Sequence, residues 1–131
     1  MIHHLDSNVA IAILNGDPAA ETSFKDRLPE VAISAVALSE LIYGAVNSAR
    51  PADNLRRLER LLVLTPVIPF DEDCSRMYGQ IRVMLKAKGR PCGDMDMLIA
   101  STAMAQGAVL VTDNLRHFEE IDGLTLANWL A

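Results

Sequence analysis

Three acidic residues that stand far apart in the sequence are the residues most able to do chemistry together. Asp6 follows an apolar run typical of a short strand, whereas Glu40 and Asp96 lie in patterns typical of helices. Carboxylates gathered from several elements repel one another, so a bound cation is the simplest reason to bring them together. We therefore predict a site for Mg²⁺, or for Mn²⁺ in its place, and hydrolysis of a phosphodiester by a metal-activated water.

Asp96 is predicted to face inward near the amino end of a helix. On a 3.6-residue repeat its side chain shares a face with Ile99, Ala100 and Ala103, the stripe that should pack on a sheet. Asp94 is predicted to be the N-cap of this helix. The helix dipole would stabilise a negative charge at Asp96 without a ligand, and a metal-facing role is the alternative.

Glu40 has no basic neighbour on its predicted helix. The residues three and four positions away are apolar or small: Val36, Ala37, Tyr43 and Gly44. Burying an unpaired carboxylate is expensive and raises its pKa. Glu40 is therefore either an unpaired surface or half-buried acid or a carboxylate that meets a cation.

Asp6 is followed by Ser7 and Asn8, a sequence that can simply cap the next helix. Capping and metal binding are compatible, because Ser7 and Asn8 can hold the carboxylate by hydrogen bonds while its outer oxygen meets the ion. A second polar pair, Asp113 and Asn114, follows the strand-like run 109–111. The irregular stretch 113–123 is a candidate active-site loop.

Strand-like runs alternate with helix-like patterns along the chain. The runs 2–5, 31–33, 67–69 and 109–111 predict strands, with a weaker fifth at 124–126, and helices are predicted at 7–14, 19–27, 35–48, 51–64, 71–88 and 94–106. This alternation predicts an α/β fold, a three-layer α/β/α sandwich with a mostly parallel sheet of four to five strands. The functional crevice of such a sheet lies beyond the carboxyl ends of the strands, where Asp6 and Asp113 fall.

Length and composition set the class of protein. With 131 residues, 50% of them hydrophobic and 22% charged, the chain is predicted to be one globular domain, residues 1–131. No apolar stretch approaches the roughly 20 residues of a membrane span, and no secretory leader precedes the first strand, so we expect a soluble cytoplasmic protein. The two cysteines, Cys74 and Cys92, are expected to be reduced thiols.

The net charge of −5 argues against a protein that holds nucleic acid through a broad basic surface. The basic residues are nevertheless clustered in two groups: Arg50, Arg56, Arg57 and Arg60, then Arg82, Lys86, Lys88 and Arg90. Each group is either a solvated helix face or a set of phosphate contacts. His3 and His4 are predicted to be structural, because adjacent strand residues point to opposite faces and cannot hold one metal together.

Four motifs in a fixed order resemble those of the PIN-domain ribonucleases, and more closely those of the VapC toxins of type II toxin–antitoxin pairs. They are LDSNV at 5–9, ISAVALSELIYGA at 33–45, QIRVMLKAKGRPCGDMDMLIAS at 80–101 and VTDNLRHFEEIDGL at 111–124. The final Asn128-Trp129 pair also matches a common ending of the family. The resemblance covers nearly the whole chain and implies a PIN-like fold.

The resemblance implies roles for the residues that match the family's motifs. Asp6, Glu40 and Asp96 become the acidic catalytic residues, with Asp6 and Asp96 as direct Mg²⁺ ligands. The usual fourth acid aligns with Asn114, and Asp113 stands one place earlier, so either residue could complete the site. Ser7 and Thr112 match supporting hydroxyl positions.

The resemblance also implies a substrate and partners. We expect an endoribonuclease that cleaves structured RNA, often tRNA, and leaves a 5′-phosphate and a 3′-hydroxyl. Homodimerisation and inhibition by a cognate VapB-type antitoxin, in a higher assembly, are further expectations. Apolar residues of the first helix, Val9, Ile11, Ile13 and Leu14, exceed what one face needs, so they form either an antitoxin groove or additional core.

A phosphorylation-receiver module is the alternative from a different class, since it has a similar length and binds Mg²⁺ at strand ends. Receivers need adjacent acids after the first strand and a phosphoacceptor aspartate after the third. This chain offers Asp6 alone and then Asp71, which is predicted to cap a helix. The pattern therefore favours the nuclease over a signalling module.

Overall fold

Five parallel strands form the centre of the computed structural model, which describes residues 1–90 and 92–130. They are β1 (His3–Leu5), β2 (Val31–Ser34), β3 (Val67–Ile68), β4 (Val109–Val111) and β5 (Thr125–Ala127). Their order across the sheet is β3-β2-β1-β4-β5, and every neighbouring pair is parallel. The strands β2 and β4 are largely aliphatic and completely buried, and β1 buries His4 and Leu5, as expected for a parallel sheet that helices cover on both faces.

Six helices flank the sheet: α1 (Ser7–Leu14), α2 (Pro18–Arg27), α3 (Ala35–Val46), α4 (Pro51–Leu64), α5 (Glu72–Lys88) and α6 (Asp94–Ala105). Most of them begin at a cap that the sequence supplies locally. The carboxylate or hydroxyl oxygens of Asp17, Ser34 and Asp71 each accept a hydrogen bond from a first-turn amide at 2.9–3.0 Å. The predicted three-layer α/β/α fold is confirmed.

The predicted element boundaries need small corrections. The first strand begins at His3 and the fifth runs one residue later than predicted, while α3 ends at Val46 and α6 at Ala105. Asp94 is the first residue of α6, and the N-cap is Gly93, so the N-cap prediction for Asp94 was wrong. Glycine is acceptable at that position, and the acid then lies within the first turn, where the helix dipole favours it.

The stretch between β4 and β5 contains one short 3₁₀ turn, Leu115–His117. The predicted single domain, residues 1–131, includes Pro91 and Ala131, which lie outside the described residues. Within the described part of the chain, none of the helices combines the length and the hydrophobicity that a membrane crossing requires. Cys74 and Cys92 are both free thiols, as expected.

Candidate active site

The candidate site lies where the carboxyl ends of β1 and β4 meet. These two strands are neighbours in the sheet but are far apart in the sequence. From β1 the next two strands of the chain are added on one side of it, and the last two strands are added on the other side. The backbone N–H of Asp6 donates to the carbonyl of Val111 at 2.9 Å, which continues the pairing beyond the strands. Functional crevices of open parallel sheets form at such a switch point.

Both oxygens of the Asp6 carboxylate accept hydrogen bonds. The backbone N–H of Ser7 donates to Oδ1 at 2.9 Å, and the hydroxyl of Thr112 donates to Oδ2 at 2.8 Å. The backbone N–H of Asn114 donates in turn to the Thr112 hydroxyl at 3.0 Å. Because the Thr112 oxygen already accepts this N–H, its own hydrogen is directed at Asp6. The carboxylate, only 5% exposed, is thus held in one orientation with lone pairs left for a ligand.

Glu40 reaches the same place from α3. Its Oε1 accepts a hydrogen bond from the Ser7 hydroxyl at 3.1 Å, a contact that joins the start of α1 to α3. The sequence assigned the Ser7 side chain to Asp6, whereas only the Ser7 backbone serves Asp6 and the hydroxyl serves Glu40. Ser7 therefore supports two of the predicted catalytic acids.

Asp96 lies in the first turn of α6, as predicted, with 25% of its side chain exposed. The face that it shares with Ile99, Ala100 and Ala103 is buried against the sheet, so the carboxylate points inward. Its Oδ2 lies 3.0 Å from Nδ1 of His117, which comes from the 3₁₀ turn after β4. Both α6 and the loop that follows β4 thus contribute to the cleft.

The acids of the cleft influence one another electrostatically. Burial raises the pKa of Asp6, the hydrogen bonds from Thr112 and Ser7 lower it, and the charges of Asp96 and Asp113 raise it further. Burial likewise raises the pKa of Glu40, which the Ser7 hydroxyl lowers and the charges of Asp6 and Asp96 raise. Among the described residues, no Lys or Arg forms an ion pair with Asp6, Glu40 or Asp96. A cation in the cleft would relieve this repulsion.

The donor set fits a hard divalent ion better than a soft one, because it consists of carboxylate oxygens. In the described part of the chain, no three acidic, histidine or cysteine side chains converge closely enough to enclose an ion completely. Mg²⁺ does not need such a cage, since it keeps several waters and is held through one or two carboxylates. The open arrangement of Asp6 and Asp96 is therefore compatible with Mg²⁺ and would not suit a structural zinc ion.

The remaining predicted residues lie at different distances from the cleft. Asp113 is exposed, yet its charge raises the pKa of Asp6, and Asn114 is half-buried with its amide 3.0 Å from Nδ1 of His117. Asn114 therefore contacts the histidine that lies against Asp96, and Asp113 acts on Asp6 through its charge. Asn8 is exposed and makes no hydrogen bond to Asp6, so the structure does not bring this predicted supporting residue to the carboxylate.

His117 is the residue of the cleft that sequence reasoning did not identify. The stretch that contains it was predicted to be an active-site loop, but no spacing rule connects it to Asp96, 21 positions earlier. The contact depends on how the loop after β4 folds over the start of α6. Its one sequence-level indication is its position in the longest irregular stretch of the chain.

Comparison with known proteins identifies the family. The family model of the PIN domain matches residues 4–124 of this sequence. Ribonuclease VapC2 of Rickettsia felis is 36% identical over 132 residues, which cover 98% of each protein. The tRNA(fMet)-specific endonuclease VapC of Shigella flexneri is 37% identical over 126 residues, which cover 95% of this chain and 96% of that protein.

Solved structures give the same result. VapBC2 from Rickettsia felis, bound to a DNA fragment from its promoter, matches with a TM-score of 0.91 and 36% identity, covering 98% of this chain and 99% of that one. DNA-bound VapBC from Salmonella typhimurium matches with a TM-score of 0.93 and 36% identity, over 98% of both chains. The family that the sequence motifs predicted is confirmed: the chain belongs to the PIN-domain family and, within it, to the VapC ribonucleases.

Proposed function

We propose that this protein is a Mg²⁺-dependent endoribonuclease that acts as the toxin of a type II toxin–antitoxin pair and cleaves structured RNA, with tRNA as the favoured substrate. The observation that carries the proposal is the buried, oriented carboxylate of Asp6, which shares a cleft with Glu40 and Asp96. The Shigella flexneri relative, a tRNA(fMet)-specific endonuclease, supports tRNA as the substrate. Action on tRNA would take place in the cytoplasm.

Asp6 and Asp96 are the proposed direct ligands of the ion, with Glu40 close enough to act directly or through a bound water. When bound, Mg²⁺ or Mn²⁺ lowers the pKa of a water molecule and neutralises charge on a phosphodiester. The fourth position is filled by Asp113 as a carboxylate or by Asn114 through a water. Exchange of each for alanine, with Mg²⁺ affinity measured by calorimetry, separates these two possibilities.

The protein groups around the ion have distinct proposed tasks. Thr112 and the Ser7 backbone fix the orientation of Asp6, so that its remaining lone pairs face the cleft. The Ser7 hydroxyl occupies Oε1 of Glu40, which leaves Oε2 as the position that accepts a proton from the attacking water. The raised pKa of Glu40 brings this carboxylate closer to the pKa at which a general base works well at neutral pH.

The partner is proposed to be a VapB-type antitoxin. An apolar groove of about 240 Å³ lies between α1, α3 and α4, lined by Ile11, Leu14 and Leu41 among others, with Glu40 at its border. Val9 is part of the core instead, so the predicted apolar excess of α1 divides between core and groove. The solved VapBC complexes support such a partner for this chain.

The border of that groove also supports a mode of inhibition. A segment that occupies the groove ends beside Glu40, where an antitoxin arginine could reach the acidic cleft and displace a metal or substrate contact. We include homodimerisation of the toxin, within a larger assembly with the antitoxin, in the proposal. Co-purification of a small protein encoded beside this gene tests the partner, and its absence from the purified material would contradict it.

The central test is cleavage of total tRNA by purified protein in the presence of Mg²⁺. Asp96→Asn and Asp6→Asn should abolish cleavage and leave the far-UV circular dichroism unchanged. Asp73→Asn is the matched control, since it makes the same substitution in the exposed first turn of α5 and should cleave normally. Unchanged cleavage by Asp96→Asn would contradict the assignment of the active site.

A growth experiment tests the biological role separately. Expression of the wild-type protein without a partner should arrest bacterial growth, whereas Asp6→Asn should not. Sequencing of the RNA ends after brief induction should find 5′-phosphate and 3′-hydroxyl products at a restricted set of sites. Harmless expression of the wild type at levels equal to those of Asp6→Asn would count against a toxin.

A further inference from the structure

A basic groove lies beside the carboxylate cleft, between the C-terminal half of α5 and the start of α6. Its volume is about 600 Å³, and three of its lining residues, Arg82, Lys86 and Arg90, are cationic, against one carboxylate, that of Asp94. The protein as a whole carries a net charge of −5, so this concentration of positive charge is local. It corresponds to the second basic cluster of the sequence.

The groove begins next to the catalytic acids. Cys92 and Met97 line it, and Met97 directly follows Asp96. The thiol of Cys92 donates to the carbonyl of His117 at 3.3 Å, and the ring of His117 is the one that contacts Asp96. The groove therefore joins the cleft at Asp96.

Two of the groove cations are available to a ligand. In the part of the chain that the structure describes, neither Arg82 nor Lys86 forms an ion pair, whereas Arg90 lies 3.9 Å from the carboxylate of Glu120. The guanidinium of Arg82 is positioned by Tyr78: it lies 5.9 Å from the ring centroid and donates to the hydroxyl at 2.8 Å. Both Arg82 and Lys86 are exposed, one helical turn apart on the same face of α5.

Helix electrostatics account for only part of this arrangement. Lys86 lies in the last turn of α5, where a cation stabilises the negative end of the helix dipole. Arg82 lies a full turn earlier, where that effect has faded, and is held over the groove by an aromatic side chain instead. The helix dipole therefore does not account for the position of Arg82.

We propose that this groove binds the phosphate backbone of the RNA substrate next to the bond that is cleaved, with Arg82 and Lys86 as phosphate ligands. The proposal rests on the function proposed above. The half-buried side chain of Cys92, which also lines the groove, is positioned to contact the adjoining sugar or base. An acidic peptide fits less well, because its carboxylates would be repelled by Asp94 and Asp96 where the groove meets the cleft. For an RNA chain, the proposed Mg²⁺ offsets this repulsion by binding the phosphate.

The test is the double variant Arg82→Gln/Lys86→Gln, measured in direct binding and in cleavage. Binding of fluorescently labelled tRNA to the Asp96→Asn protein, with and without the double change, is followed by anisotropy between about 50 and 200 mM salt. The loss of two phosphate contacts should weaken binding about tenfold and reduce the slope of log K against log salt by about 1.4. In the active protein, KM should rise by a similar factor while kcat stays nearly constant.

Two further variants make the result specific. Arg56→Gln/Arg60→Gln removes two cations at the same i,i+4 spacing from an exposed face of α4, and Arg56 is already paired with Asp53, so this variant should bind tRNA as the wild type does. Arg82→Lys keeps the positive charge but loses the planar contact with Tyr78. This single variant should bind tRNA nearly as well as the wild type does, whereas the single variant Arg82→Gln should bind more weakly.

Several outcomes would overturn the groove assignment. They are equal losses in the α4 control, an unchanged salt slope, or a fall in kcat with KM unaltered. Weakened binding of the purified antitoxin with tRNA binding intact would instead make the groove a protein-binding surface. If the wild type cleaves no RNA but binds tRNA in a groove-dependent manner, the groove assignment stands and the proposed catalytic function fails.

Discussion

His4 lies in the middle of the sheet, and its environment predicts a loss of stability in mild acid. Its strand, β1, pairs with β2 and β4, and the side chain is 1% exposed. Among the described residues, neither ring nitrogen finds a hydrogen-bond partner. Burial lowers the pKa of His4 from 6.5 to about 4, because the imidazolium cannot be solvated there.

The sign and size of the effect follow from linkage. Between pH 6.5 and about pH 4 the unfolded chain binds a proton at His4 that the folded protein does not bind, so acid favours unfolding. A pKa lowered from 6.5 to about 4 corresponds to about 3 kcal/mol at 1.36 kcal/mol per pH unit. Protonation of His4 therefore costs the fold nothing above pH 6.5, and the stability of the folded protein falls as the pH is lowered towards 4.

The assay is urea denaturation of the wild type and of His4→Leu at constant ionic strength, from about pH 7 to about pH 4. The fluorescence of Trp129, the single tryptophan and a buried one, reports unfolding, and circular dichroism checks it. The raised pKa values of Asp6 and Glu40 act in the opposite direction, since acid stabilises their folded protonated forms. They are present in both proteins and cancel in the difference.

The difference in unfolding free energy between His4→Leu and the wild type should grow by about 3 kcal/mol across this range. At neutral pH the variant should already be more stable by about 1–3 kcal/mol, because it no longer buries two unsatisfied polar atoms. A difference that stays constant with pH would refute the reasoning. It would mean that the folded protein accommodates a charged ring at this position.

Three further predictions concern the cleft. Thr112→Val removes the hydroxyl that holds Asp6 and should reduce Mg²⁺-dependent cleavage about 10–100-fold. Because that hydrogen bond lowers the pKa of Asp6, the acidic limb of the pH–rate profile should also move to higher pH. An unaltered profile would contradict the role of this bond. Ser7→Ala frees Oε1 of Glu40 and should cost about tenfold in kcat with little effect on KM, which initial rates will decide. Chelation by EDTA should stop cleavage, and Mg²⁺ should raise the Tm of the wild type but not of Asp6→Asn/Asp96→Asn; equal shifts in both proteins would place the ion elsewhere.

Local signals made much of the fold predictable. The helices 7–14 and 51–64 and the strand 109–111 were predicted with their observed ends, because a cap, a proline or an aliphatic run marks each of them. The inward direction of Asp96 followed from helical periodicity, and the position of Asp6 followed from the rule for parallel sheets. The family assignment also removes the receiver-type alternative that the sequence left open.

The side-chain contacts between different helices and loops of the site could not be predicted from the sequence. The hydroxyl of Ser7 serves Glu40, 33 positions away, and the ring of His117 lies against Asp96, 21 positions away. Neither partner can be read from spacing, because both contacts depend on how α1 packs on α3 and how the loop after β4 meets α6. The choice of Gly93 over Asp94 as the N-cap was equally open, since both residue types begin helices.

The hydrogen bond between Thr112 and Asp6 has a consequence for the protein during its own synthesis. The two residues are separated by 106 positions, and the strand that carries Thr112 is paired directly with the strand that carries Asp6. A nascent chain thus presents Asp6 without its anchor until residues 109–112 have left the ribosome. The oriented carboxylate of the proposed tRNA-cleaving site is therefore absent from every nascent chain that has not yet exposed Thr112.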